Sequence, residues 1–351
     1  MLDLGAPFVM LGQLDWATWL AMFWFMILLE VPRYTLSGMA VFAASFARKQ
    51  EPTPAEQRYL DGLKLSVVIA GHNEADAIER CLKSLSEQTR KIDEIIFIDD
   101  GSTDGMREII HKYRLRGQID IALSNQVRSG KSASCNLGFS LANGDIIINL
   151  DADCSYDRDA IARLIEPFTD PRVGAATGSI GVRNYDYSAV TGYQAIEYIV
   201  SIGMGKRALD TIDMVVCASG AFGAFRREAI HQVGLLAPGP GEDFDLTLRL
   251  RRSGWKIRFA ADSWCFTDTP ATVAALVRQR RRWDRDTLRT RMRKFRDTFR
   301  AGRRRFLLLE TFEQCEWLVM NGLVTLVFPI YVGWLFLCFG VGALNILIAV
   351  A

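Results

Sequence analysis

The sequence predicts an α/β fold built on a mostly parallel sheet with helices on both faces. Three observations carry that expectation. Half of the 351 residues are apolar and 23% are charged, enough to fill a core and too apolar for wholesale disorder. Between Lys64 and Ser179 short apolar runs alternate with helical stretches. Several of the runs end in clusters of Gly, Asp, Asn and Ser, the residues that turn a chain after a buried strand.

Taken in order, the first element is apolar. From Trp16 to Ala47 the only charges are Glu30 and Arg33. As a helix this stretch would extend about 48 Å, beyond the roughly 30 Å hydrocarbon core of a bilayer. A long tilted or kinked span is expected, with Pro32 at the kink and Glu30 facing Arg33 one turn away. Trp16, Trp19 and Trp24 suit a membrane interface, and the lack of a preceding basic stretch argues against a signal peptide. Residues 1–50 are thus expected to form an N-terminal transmembrane region.

The α/β block is expected over residues 60–268. Its strands fall on Leu65–Ala70, Glu94–Ile98, Gln118–Leu123 and Asp145–Leu150, and its helices on Ala75–Ser86, Met106–Tyr113 and Ala133–Leu141. Residues 270–310 follow as basic interfacial helices. Fourteen Lys/Arg and three Asp in 271–305 give a local +11 within an overall +2, so the remainder carries −9. Residues 311–351 form a second membrane region. Trp317–Ala351 holds no charge, is too long for one span and short for two, and has Gly340 and Gly342 as candidate breaks. The sequence ends inside an apolar run, so the expectation is that the chain stops early or leans on neighbouring helices. Arg48, Lys49 and the basic strip place residues 48 to about 316 in the cytosol and the N-terminus outside.

Seven scattered cysteines without a CxxC pair exclude a zinc-ribbon or disulfide framework and fit a reducing compartment. With only His72, His111 and His231 available, acid–base work would fall to carboxylates.

In a parallel sheet ligands bind at the carboxyl ends of the strands. The first strand ends in Gly71-His72-Asn73-Glu74, a turn into a helix start. The second ends in Asp99-Asp100-Gly101-Ser102-Thr103-Asp104, adjacent carboxylates that are costly unless they bind something. The fourth ends in Asp151-Ala152-Asp153, two carboxylates at i and i+2 that can share Mg²⁺ or Mn²⁺ with phosphate oxygens and water. Gly130-Lys131 opens a helix and suits an anionic group, without the glycine spacing of a P-loop. Gly241-Glu242-Asp243 sets carboxylates at another helix start, either as caps or with a general base among them. Gln279, Arg282 and Trp283 lie at i, i+3 and i+4, one helix face that pairs a phosphate binder with an aromatic platform.

The ordered series GHNE, DDGSTD, GK…N, DAD, GED and QRRRW resembles that of the membrane-embedded family 2 glycosyltransferases, the group of cellulose, chitin, hyaluronan and poly-N-acetylglucosamine synthases. The resemblance covers roughly residues 64–284 and implies a GT-A-like fold. Matched residue by residue, it implies that Gly71, Asn73, Glu74, Asp99 and Asp100 hold the nucleoside and that Lys131 lies near the nucleotide or its phosphates. Asp151 and Asp153 would be the DxD pair, Asp153 the direct metal ligand. Asp243 would be the catalytic base with Glu242 beside it. Gln279, Arg282 and Trp283 would stand by the diphosphate and acceptor sugar, and Ser219, Gly220 and Phe222 would line the acceptor site. Two departures stand out: Gly71-His72 replaces a frequent proline and tyrosine, and Pro238-Gly239-Pro240-Gly241 lacks the usual threonine.

The resemblance further implies inverting, processive transfer from a UDP-sugar to a growing β-linked glycan, with Mg²⁺ or Mn²⁺, at the cytosolic face of the inner (plasma) membrane. A single-addition enzyme forming a glycolipid on a lipid acceptor is the alternative. The expected partners are the nucleotide sugar, the glycan or lipid acceptor and membrane lipids, with room for a second copy or an export partner. A non-catalytic protein whose basic strip binds lipid or nucleic acid is disfavoured, because acidic strand ends repel phosphate unless a cation bridges it; no nucleic acid is expected.

Overall fold

The computed structural model describes residues 15–25, 27–28, 31–46, 51–295 and 307–344. The chain divides into two compact units, residues 41–296 and residues 1–40 with 297–351.

The larger unit is built on one eight-stranded sheet. Its strands are β1 (Leu65–Gly71), β2 (Glu94–Asp99), β3 (Ile121–Ser124), β4 (Ile146–Asp151), β5 (Ser155–Tyr156), β6 (Val173–Val182), β7 (Phe222–Arg226) and β8 (Lys256–Thr267). The spatial order is β3-β2-β1-β4-β7-β6-β8-β5. The half formed by β3, β2, β1 and β4 is wholly parallel. β7 then runs antiparallel to both β4 and β6, β6 and β8 are parallel, and β5 closes the edge antiparallel to β8. The sheet is therefore mixed, more so than the alternation of runs implied.

Alternation along the strands feeds two cores. On one face Val67, Ile69, Phe97, Ile146 and Ile148 pack with Ile78, Cys81 and Leu82 of α4 (Ala75–Ser86), Met106 and Ile110 of α5 (Met106–Leu115) and Ile161 and Leu164 of α7 (Ala160–Ile165). On the other face Val68, Ile96, Ile98 and Ile147 meet Cys135 and Phe139 of α6 (Lys131–Leu141), Ile230 of α10 (Arg227–Gln232) and Leu246 and Leu250 of α11 (Glu242–Arg252). Each fully buried Ile, Leu or Phe contributes about 1.5–3 kcal/mol, so both faces are firmly covered. The other helices of this unit are α3 (Pro54–Gly62), α8 (Ala189–Glu197) with a π-helical continuation Tyr198–Met204, α9 (Gly205–Asp210) and α12 (Val273–Arg289).

In the smaller unit α1 (Trp16–Phe25) contributes Met22 and Phe23 to a cluster with Tyr331 and Leu335, and the Tyr331 hydroxyl donates to the Met22 carbonyl. α2 (Val31–Phe46) carries Pro32 as its second residue; residues 29–30 before it, and with them the expected kink at Pro32, lie outside the described residues. As described, α1 has 10 residues and α2 16; residues 26 and 29–30 between them, including Glu30, the expected partner of Arg33, lie outside the described residues. By contrast Glu310–Gly342 is continuous over 33 residues and the one helix, among those described, long and apolar enough to cross a membrane. It comprises α13 (Leu307–Leu318) from Glu310 onward, a π-helical turn and α14 (Val324–Phe339), and it ends where Gly340 takes φ +56°.

Candidate active site

Parallel strands end together, so their polar terminal residues are gathered by the fold itself. At the end of β1, a side chain on Gly71 would put its Cβ 3.0 Å from Ala152 Cβ, crowding the loop that follows β4. Asn73 stands at φ +57°, and its Oδ1 accepts from the Thr103 N–H (2.8 Å) while its own N–H donates to Ser102 Oγ (3.0 Å). The Ala75 N–H donates to Asp104 Oδ2 (2.8 Å). These bonds zip the first two strand-end loops together. Glu74, between them, is half-buried; burial and the nearby Asp153, Asp151 and Asp104 push its carboxyl up to about 7.

Asp99 and Asp100 turn into the fold. Asp99 is fully buried, accepts from the Ser102 N–H (2.9 Å) and stands 3.5 Å from Arg107 Nε. Gly101 follows at φ +75°, and a Cβ there would lie 2.9 Å from the Arg128 nitrogen. Asp100 accepts five hydrogen bonds: from Asn125 Nδ2, the Ser129 N–H and hydroxyl, the Ser134 hydroxyl and the Gly130 N–H, at 2.7–3.0 Å. Burial would raise its carboxyl, yet these bonds hold it at about 2. Asp100 thereby braces the loop that delivers Lys131.

Lys131 Nζ lies 2.5 Å from Asp151 Oδ1. Burial acts to lower this ammonium, but Asp151 and Glu242 reverse the effect and hold it above its ordinary value. The adjoining strand knits the remaining groups to the pair. The Asp151 N–H donates to the Ala221 carbonyl (3.3 Å), Asn149 Nδ2 to the Gly220 carbonyl (2.7 Å), and the Gly220 N–H to Asp243 Oδ2 (3.1 Å). A Cβ on Gly220 would stand 3.5 Å from Asp243 Oδ2 and 3.6 Å from Lys131 Nζ, so the glycine marks the meeting point of Asp151, Lys131 and Asp243.

Asp243 and Glu242 occupy the first turn of α11, where the helix dipole favours anions. Gly241 caps that helix at φ +78°. Asp243 Oδ1 accepts from the Phe244 N–H (2.7 Å), which fixes the carboxylate plane together with the Gly220 bond. Burial and the Asp243 charge raise Glu242. Ser219 accepts from Lys206 Nζ (2.7 Å), a half-buried ammonium lowered by desolvation. Phe222, expected at the acceptor, is instead fully buried, its ring against Tyr156 in the core.

On α12, Arg282 is exposed, while Gln279 and Trp283 are half-buried and Gln279 Oε1 is buried without a hydrogen bond. The motif's second residue, Arg280, is the anchored one: it pairs with Glu197 (2.6 Å) and lies over the Trp283 ring at 4.4 Å. One turn further, Asp286 and Thr290 abut Gly241, at 3.3 and 3.4 Å from a Cβ built there. This contact brings the helix to the start of α11.

Among the described residues no group of three or more His, Cys, Asp or Glu side chains is arranged to hold a metal. Asp151 and Asp153, an oxygen-only pair, nevertheless suit a hard cation that completes its shell from phosphate and water. Asp151 is engaged by Lys131, which leaves Asp153 the freer carboxylate of the pair.

Sequence reasoning missed Lys206, which no motif announces. It missed Arg183 as well, which binds the Asp153 and Phe266 carbonyls and Asp268. Asn149 carried a signal, a lone amide inside an apolar strand.

Residues 66–234 match the family described as Glycosyl transferase family 2. The poly-β-1,6-N-acetyl-D-glucosamine synthase of Staphylococcus aureus (strain MSSA476) is 34% identical over 222 residues, 62% of this chain and 53% of that protein. The Staphylococcus epidermidis enzyme of the same name is 31% identical over 232 residues, 65% and 55% of the two chains. The chain thus spans about half the length of these relatives. In fold it is similar to the mannosyltransferase PcManGT from Pyrobaculum calidifontis, solved with GDP-Man and Mn²⁺, at a TM-score of 0.55 and 20% identity over 81% of each chain. The chain thus has a GT-A fold, and over residues 66–234 it is similar to glycosyl transferase family 2, with the poly-β-1,6-N-acetyl-D-glucosamine synthases among its relatives.

Proposed function

We propose that the protein transfers a sugar from a UDP-sugar to a growing β-linked glycan, with inversion at the anomeric carbon, on the cytosolic face of a membrane. The observation that carries this reading is the convergence of Asp151, Lys131, Gly220 and Asp243 at the ends of strands that start far apart in sequence. The relatives' names add the polymer and its N-acetylglucosamine unit.

In this reading Asp243 takes the proton from an acceptor hydroxyl. That oxygen forms the new bond to the anomeric carbon as the bond to the diphosphate breaks, and the diphosphate leaves with the electron pair from the opposite face. Two backbone N–H bonds orient the Asp243 carboxylate and leave its other lone pairs for the acceptor. Lys131 and Arg282 attract the diphosphate oxygens, and Trp283 offers a flat surface to the acceptor sugar. When bound at Asp153 and Asp151, Mg²⁺ or Mn²⁺ supplies neutralising charge to the leaving diphosphate. Gly71, Asn73, Glu74, Asp99 and Asp100 frame the nucleoside end, Asp100 through the loop it braces. Residues 60–268 are the catalytic domain, 270–310 its interfacial helices, and 1–50 and 311–351 its membrane regions.

Asp243→Asn keeps the size and one oxygen for a backbone N–H, loses the second such contact, and cannot accept the proton. Transfer should fall about 10²–10⁴-fold while UDP binding, read by calorimetry, stays intact. Substantial residual transfer would remove Asp243 as the base. Product size separates polymer from glycolipid: a ladder of oligosaccharides supports the polymerase, one defined glycolipid the single-addition enzyme.

A further inference from the structure

The loop before β7 passes the candidate site with its backbone tied to three elements. The Ala218 N–H donates to Thr247 Oγ1 on α11 (2.9 Å), the Ser219 N–H to Thr177 Oγ1 on β6 (3.2 Å) and the Gly220 N–H to Asp243 Oδ2 (3.1 Å). On the carbonyl side, Gly220 accepts from Asn149 Nδ2 on β4 (2.7 Å) and Phe222 from Thr177 Oγ1 (3.0 Å). Thr177, Ala218 and Thr247 are fully buried. A buried N–H that loses its acceptor keeps the cost of its desolvation, so a methyl group cannot stand in for either hydroxyl.

Thr247 differs from an ordinary helical threonine. Such a residue often returns its hydroxyl to the carbonyl four residues back, with no gain to the fold. Thr247 does this at 2.7 Å, and the carbonyl it reaches is that of Asp243. A hydroxyl has one hydrogen to give and lone pairs to receive; here the hydrogen goes to Asp243 and a lone pair takes the Ala218 N–H. Asp243 is therefore joined to one loop twice, its carboxylate directly to Gly220 and its carbonyl through Thr247 to Ala218. A single bond between loop and helix leaves the two free to pivot about it. The second bond, two residues along the loop, fixes direction as well as distance.

We propose that Thr247, with Thr177 on the β6 side of the loop, is a positioning residue of the transfer step: its hydroxyl locks residues 218–220 to α11 and so aims the Asp243 carboxylate at the acceptor. The inference rests on the reading of Asp243 as the base. Thr247 is fully buried and acts only through Asp243 and the loop.

The full chain, purified in detergent, is assayed with UDP-N-acetylglucosamine as donor and an N-acetylglucosamine oligosaccharide as acceptor, and UDP affinity is read by calorimetry. Thr247→Val keeps the branched shape and removes the hydroxyl; turnover is expected to fall about 10- to 100-fold with UDP affinity unchanged. Thr247→Ser keeps the hydroxyl and is expected to restore turnover. Because Thr247 acts through Asp243, adding Thr247→Val to Asp243→Asn is expected to cost no further residual transfer. Parent-like turnover in Thr247→Val, an equal loss in the valine and serine variants, or full additivity with Asp243→Asn overturns the proposal. Substantial transfer by Asp243→Asn alone removes the base and this inference with it, whereas an inactive Asp243→Asn beside a fully active Thr247→Val removes the inference only. Should Thr247→Val not fold, Thr177→Val and Thr177→Ser decide by the same readouts.

Discussion

At the scale of single residues, adjacent carboxylates of like appearance divide into different trades. The Asp pairs of DDGSTD and DAD are conspicuous in the sequence because a buried strand rarely ends in two acids without purpose. What each acid does is not local information. Asp100 is engaged by Asn125, Ser129, Gly130 and Ser134, 25 to 34 residues further on, and only the closed fold shows it bracing the Lys131 loop. Asp100→Ala would leave the Ser129 and Gly130 N–H groups without their acceptor, and about 1–3 kcal/mol of stability should be lost, read by urea unfolding. The pH dependence has a definite sign. The folded carboxyl sits at about 2 against an ordinary 3.8, so the charged form is favoured by folding. Its contribution is present above the ordinary value and is lost as pH falls through the folded one. The stability gap between the parent and Asp100→Asn should therefore be constant near neutrality and narrow below about pH 4. A gap that widens in acid would show that the five bonds do not favour the carboxylate.

At the scale of elements, the strands and helices of the parallel half were legible because each buries an apolar pattern of its own period. α4 matches the expected Ala75–Ser86, α6 only starts two residues earlier, at Lys131, and α11 starts at Glu242, within the expected helix start Gly241-Glu242-Asp243. β3 is shorter than expected, Ile121–Ser124; just before it Asp120 ties to β2 twice, its N–H donating to the Ile95 carbonyl (3.0 Å) and its Oδ2 accepting from the Ile95 N–H (2.7 Å). The antiparallel insertion of β7 between β4 and β6 was not legible. Partner choice between strands about 70 residues apart leaves no mark in either one alone, yet this insertion carries Gly220 to Asp243. α11 depends on one further local device. Gly241 begins it in the left-handed region and faces Asp286 of α12. Gly241→Ala should cost about 1–2 kcal/mol in backbone strain and push on Asp286, tilting the turn that holds Asp243. A lower melting temperature and reduced turnover with unchanged UDP affinity are expected; reduced UDP affinity with unchanged turnover would detach this contact from the acceptor side.

At the scale of the whole molecule, charge and hydropathy point the same way. The sequence concentrates its positive excess just before the one described helix long enough to cross a membrane, Glu310–Gly342, and the rest of the chain is net acidic. As a helix of 33 residues this segment measures about 50 Å, more than the roughly 30 Å hydrocarbon core, so a crossing by it would require tilt or projection into the headgroups. Arginine and lysine near a span tend to be retained on the cytosolic side, and the proposed placement of residues 51–295 on that side rests on this tendency. A protease added to sealed inverted vesicles should digest this unit, and the same protease should spare it in right-side-out vesicles until detergent is added. The reverse pattern would separate the arginines of α12 from any topogenic role and leave headgroup binding as the physical use for their charge, because an anionic surface attracts them on whichever face they emerge.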